Sequence, residues 1–120
     1  MARDKLTPIQ LTRNAGIDAK AATVLTAINV TNGAYIDASA LDMDRVILHV
    51  KNTEGSTNTV TVKAGAFSRA SLGDLVVTVA ATSGEQMLHL ETARFKKADG
   101  TIDIDFESGM TGLIGCYALP

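Results

Sequence analysis

A two-residue hydrophobic period constrains this chain more than any other feature. It is cleanest over Thr101–Glu107, where Ile102, Ile104 and Phe106 alternate with Thr101, Asp103, Asp105 and Glu107. Successive side chains of a strand point to opposite faces, so this pattern predicts a strand with one face in a core and one in water. The same period sets Val46, Leu48 and Val50 against Ile47, His49 and Lys51 in Arg45–Lys51. It turns Val60 and Val62 inward in Thr59–Lys63, and groups Leu75, Val77 and Val79 in Leu75–Ala80. In Glu85–Thr92 it pairs Leu88 with Leu90 and turns His89 and Glu91 away. Ala22–Thr31 is Ala-rich at its start, yet Val24, Thr26, Ile28 and Val30 favour a strand over a helix. Met110–Leu119 is apolar on both faces, which predicts a covered strand.

Turn chemistry falls between these runs. Asn32-Gly33, Glu54-Gly55-Ser56, Ser83-Gly84 and Asp99-Gly100 are turn signals, and Asp-Gly is a strong short-hairpin signal between alternating strands. Gly65–Gly73 reads as a longer loop. Short strands at this spacing predict an all-β fold: a single antiparallel β-sandwich or jelly-roll-like barrel over residues 21–120. Residues 1–20 carry Pro8, mixed charge and no sustained period, and read as an extended N-terminal arm or edge strand anchored by Ile9, Leu11 and Ile17.

At 120 residues the chain fits one domain. A chain of this size buries roughly two-thirds of its unfolded surface, enough for a core without metal or disulfide. Aromatics are 4% with no Trp, so that core must be aliphatic. A net charge of −2 argues against a general nucleic-acid binder and a polybasic membrane-surface protein. The start, Met1-Ala2-Arg3-Asp4-Lys5, lacks a signal-peptide apolar run, and no stretch reaches spanning length, so synthesis in a cytoplasm is expected. No cofactor or metal is expected.

Candidate chemistry is sparse. His49 and His89 are the only histidines and lie opposite the main apolar set, which predicts surface or interface residues, not a catalytic pair. Asp103, Asp105 and Glu107 stack carboxylates on one strand face, but alternate residues sit about 6–7 Å apart, too far to share one ion. With Asp42 and Asp44 they read as solvated or ion-paired side chains. Cys116, the only cysteine, lies in an apolar run and reads as core. Arg94, Lys96 and Lys97 form a small basic cluster around Phe95 that reads first as a solvated loop, with contact to an acidic partner surface as the alternative. Together with Ile9, Leu11, Arg13 and Ile17 of the arm, these are the candidate partner-binding residues.

The order of segments resembles a known family. Val46-Ile47-Leu48-His49-Val50-Lys51-Asn52 leads through a Gly/Ser/Thr/Asn turn to Val60-Thr61-Val62. Val76-Val77-Thr78-Val79, Ser83-Gly84-Glu85, Ala93-Arg94-Phe95 and Asp99-Gly100 follow. Then come Ile102-Asp103-Ile104-Asp105-Phe106 and a terminal apolar strand ending at Tyr117-Ala118-Leu119-Pro120. Over roughly residues 40–119 this is similar to the small β-sandwich decoration, or cement, proteins encoded near the major capsid protein of tailed bacteriophages. The resemblance implies a non-enzymatic virion protein on the outer capsid surface. Its partner would be the major capsid protein, and its oligomer a homotrimer at local threefold positions. The alternatives are another virion part, such as a head–tail connector, tail or fibre-base component, and a carbohydrate-binding module.

Overall fold

The computed structural model describes residues 3–16, 25–39 and 41–120. Among these residues ten strands form two five-stranded sheets. They are β1 (Asp4–Lys5), β2 (Ile9–Gln10), β3 (Thr26–Ala27), β4 (Ala34–Asp37), β5 (Val46–Asn52), β6 (Asn58–Val62), β7 (Leu75–Val79), β8 (Glu85–Leu88), β9 (Thr101–Phe106) and β10 (Gly112–Ala118). One sheet runs β1-β4-β9-β6-β7. The other runs β2-β10-β5-β8, with β3 also on β10. Neither sheet closes on itself among the described residues.

The strands exist for the reason the period implies. In β9 every second residue is buried: Ile102, Ile104 and Phe106. In β6 the buried set is Asn58, Val60 and Val62. These meet Val46, Leu48 and Val50 of β5 and Ile114 and Cys116 of β10 in one aliphatic cluster shared by both sheets. β10 is buried over most of its length: β5 flanks one edge, and β2 and β3 share the other. Gly115 keeps its outer face open to Leu25, since a Cβ there would lie 2.5 Å from Leu25 Cδ2.

Several expectations change in the folded chain. The sheets are not purely antiparallel, because β1 runs parallel to β4 and β2 parallel to β10. The N-terminal segment takes its edge-strand form. Asp4 N donates to Gly33 O (3.0 Å), Leu6 N to Tyr35 O (2.9 Å) and Leu11 N to Ala118 O (2.8 Å). The strand expected over Ala22–Thr31 is only Thr26–Ala27 among its described residues, and Val24 lies outside them. It stops because the Asn29 side chain accepts from the backbone of Thr31 and Asn32, both at 3.1 Å, and curls the chain.

The strand expected over Glu85–Thr92 ends at Leu88, and Thr92–Phe95 forms a single helical turn, α1. His89 Nε2 reaches Asp44 O at 2.9 Å, and Phe95 packs into the core, so side-chain anchoring overrides the alternation. Asp99-Gly100 makes a tight turn with Gly100 at φ 91°, but it joins the α1 region to β9, not two paired strands. Ala34-Tyr35-Ile36-Asp37, unread in the sequence, is a full strand with Ala34 and Ile36 in the core.

Two buried asparagines tie one end of the sheets. Asn52 Nδ2 donates to Ser56 O (2.9 Å), Val79 O (3.2 Å) and Ala80 O (3.2 Å). Its Oδ1 accepts from Glu54 N at 3.0 Å. Asn58 Nδ2 reaches Glu54 Oε1 at 2.7 Å and Ser56 O at 3.1 Å. Buried backbone carbonyls need such partners, so one side chain fixes where β7 leaves its sheet and turns toward β8.

Candidate binding surface

The candidate residues of the sequence do not form one site. Ile9 and Leu11 are half-buried beside β10, Arg13 is exposed, and Ile17 lies outside the described residues. The expected basic cluster is taken apart by packing. Phe95 is 3% exposed and belongs to the core, which corrects its assignment to a binding surface. Arg94 stacks over the Phe95 ring, Cζ 4.9 Å from its centroid. The guanidinium then donates to Gly73 O (3.0 Å) and Asp74 O (3.1 Å), so its charge holds a loop in place. Lys97 pairs with Asp103 at 2.9 Å, and that bond holds its ammonium above the usual lysine range. Lys96 borders an open hollow of about 320 Å³ shared with Phe67, Thr92 and Ala93, and Lys97 borders a second, of about 290 Å³, with Arg3, Tyr35 and Asp99.

The acidic stripe of β9 is ion-paired. Arg3 lies 3.4 Å from Asp103 and 2.5 Å from Asp105, and donates to Ile104 O at 2.9 Å. Glu107 accepts from Thr59 N (3.2 Å) and Thr59 Oγ1 (3.1 Å). These carboxylates therefore clamp the N-terminal segment and β6 onto β9. Among the described residues no group of three or more His, Cys, Asp or Glu is arranged to hold a metal ion.

His49 departs from its expected surface position. It is 7% exposed on the outer face of its sheet. Nε2 donates to Glu85 Oε1 at 2.7 Å, and the Tyr117 hydroxyl lies 3.3 Å from Nδ1. The two rings are 5.9 Å apart, centroid to centroid. Burial, then the neighbouring Glu85 charge, pushes the Tyr117 phenol up. This carboxylate–imidazole–phenol chain crosses β8, β5 and β10 and fastens the outermost strand, β8, to the sheet interior. The hollows beside Lys96, Leu6, His89 and Lys97 are lined by other residues. Part of the sequence signal for this chain was present, because alternation turns Glu85 and His49 outward, whereas the run around Tyr117 is apolar on both faces and assigns it no side. The register that aligns them was not present.

Edge strands distinguish the two flanks of the molecule. On one flank the N-terminal segment supplies the outermost strand of both sheets, β1 in one and β2 in the other. Leu6, between them, is 2% exposed and sits in the core. On the other flank the outermost strands are β7 and β8, and nothing among the described residues extends either ladder. Six large apolar side chains are exposed among the described residues. Three of them, Phe67, Leu72 and Val76, fall on β7 and the 3-10 turn before it (Ser68–Leu72 with its cap Phe67). A fourth, Met87, is on β8 and 63% exposed. A row of unpaired backbone groups beside exposed apolar side chains is a template for protein contact.

Comparison of the chain with protein families, curated proteins and solved structures returns no match.

Proposed function

We propose that this chain is a non-catalytic structural protein that binds another protein's surface, and specifically a decoration protein of a tailed-phage capsid. In this reading the two open sheets form a β-sandwich. The protein lies on the outer face of an assembled shell of major capsid proteins, as a homotrimer at local threefold positions of the virion. The observation that carries the binding reading is the open β7–β8 flank with Leu72 and Met87 exposed on it. The order of strand segments over residues 40–119 supports the capsid assignment by resemblance. The net charge of −2 favours a protein partner over nucleic acid or an anionic membrane.

The mechanism is linkage. A ligand that binds only the assembled shell stabilises it by mass action, and many copies multiply the effect. Each contact can be modest, because strand addition and burial of a few aliphatic side chains supply affinity without a single dominant residue.

The test mixes the purified protein with expanded shells lacking it and follows co-sedimentation and particle heat stability. Binding near the capsid-subunit copy number, lost in Leu72→Glu/Met87→Lys, supports the proposal. Failure to co-sediment refutes it, and a copy number far below that of the capsid subunits assigns the protein elsewhere in the particle. Removing the N-terminal segment would not serve, because Leu6 is buried and truncation would test folding.

A further inference from the structure

Among the described residues β7 is the free edge of its sheet, and its composition is unusual for a strand left open. Leu75-Val76-Val77-Thr78-Val79 contains no charge, no proline and no glycine. Four of these residues are β-branched, the type that packs best on a pleated surface. Exposed edges are normally protected by lysine, proline, a bulge or an inward-pointing charge, and β7 has no such residue. Its ladder with β6 runs unbroken from Asn58↔Val79 to Val62↔Leu75, so no bulge twists the edge away. The nearest charge, Asp74, is withdrawn from the strand: its carboxylate accepts from Ala64 N (2.6 Å) and Lys63 Nζ (2.9 Å). Val76 and Thr78 face outward and are exposed, Val76 by 59%.

We infer that β7 pairs antiparallel with β7 of a second copy of this chain across a twofold axis. An isologous contact requires a patch complementary to itself, and antiparallel pairing centred on Val77 supplies one. Val77 meets its own mate, Val76 lies opposite Thr78 of the second copy, and Leu75 lies opposite Val79. Asp74 falls opposite Ala80, so no like charges face each other. The two sheets become one continuous sheet, and every cross-strand pair is aliphatic or β-branched, the kind that stabilises a ladder. This deepens the reading of the β7–β8 flank as a protein-binding surface and assigns one strand of it a partner. It does not depend on the capsid. In a trimeric protein the contact joins two trimers, distinct from the threefold contact.

Val76 and Thr78 project from the exposed face, so charge can be placed there without entering the core. The experiment is sedimentation velocity on the full chain over a concentration series, with far-UV circular dichroism to confirm the fold of each variant. The expected result is a doubling of the basic assembly at high concentration. Val76→Lys/Thr78→Lys sets lysine opposite lysine and raises the dissociation constant by about tenfold or more. Val76→Glu/Thr78→Lys sets glutamate opposite lysine in the same register and restores association. A wild-type protein that never doubles overturns the inference, as does doubling equally insensitive to both pairs of substitutions. Shell binding by such a non-doubling protein would leave the proposed function standing and remove only this contact. A protein that doubles but ignores shells would do the reverse.

Discussion

Replacing Leu6 by alanine separates an N-terminal segment that is part of the fold from one that orders only on docking. Leu6 is 2% exposed and packs in the core between the crossings to β1 and β2. The substitution removes three carbons from that position, about 2.4 kcal/mol at about 0.8 kcal/mol per buried carbon group. A rigid cavity would add to this, up to about 5 kcal/mol in total. Here an open hollow of about 130 Å³ lined by Lys5, Leu6, Thr7, Pro8, Asp37 and Leu41 already lies alongside, so the added term stays small. The expected loss is about 2.5–3 kcal/mol, at the low end of the range for buried leucines. For a chain of this size that lowers Tm by about 10 °C, at roughly 3–4 °C per kcal/mol. Urea unfolding followed by circular dichroism measures it, with an unchanged slope showing that the denatured state is unaltered. Arg13→Ala, at an exposed position, is the control and should stay within about 0.5 kcal/mol of the parent. A loss below about 1 kcal/mol for Leu6→Ala would show that the segment contributes little to the free molecule, and would refute the reasoning.

Other consequences follow from single side chains. Burial pushes the Cys116 thiol up from 9.0 to about 11, so its labelling by a thiol reagent near neutral pH should proceed only as fast as the chain opens. Because its folded value lies above the unfolded one, the stability linked to it is full below pH 9.0 and declines as pH rises toward 11, a loss that Cys116→Ala should remove from the alkaline limb. Asn52→Ala leaves the carbonyls of Val79 and Ala80 without their donor and should cost about 2–3 kcal/mol in denaturant unfolding, whereas a surface change at Thr53 should not. The Asp74 carboxyl is held below 3.8 by the bonds from Ala64 N and Lys63, so its contribution is present above pH 3.8 and lost as pH falls through the lower folded value. Asp74→Asn should therefore flatten the acid limb of a stability–pH curve, and an unchanged limb would contradict the assignment.

Much of the fold was legible along the chain because the strand period is a local property. Ile102, Ile104 and Phe106 alternate with charged residues in any window that contains them, and β5, β6, β7 and β9 formed within a residue or so of where alternation placed them. A mainly aliphatic core, with Phe95 and Phe106 as its aromatic members, followed from the scarcity of aromatics. Tertiary contact decided the rest. Thr92–Phe95 left the strand pattern for a helical turn because Phe95 found the core and Arg94 found the carbonyls of Gly73 and Asp74. Arg94 and Lys97 found acceptors for the same reason, since a cation takes whichever acceptor the fold brings near, while Lys96 stays beside an open hollow. The Glu85–His49–Tyr117 chain needed two ladders in register, β5 against β8 and β5 against β10, which no local window contains. The N-terminal segment was open to either form, arm or edge strand. Its partners β4 and β10 are distant in sequence, so only folding could close one flank and leave the flank of β7 and β8 exposed.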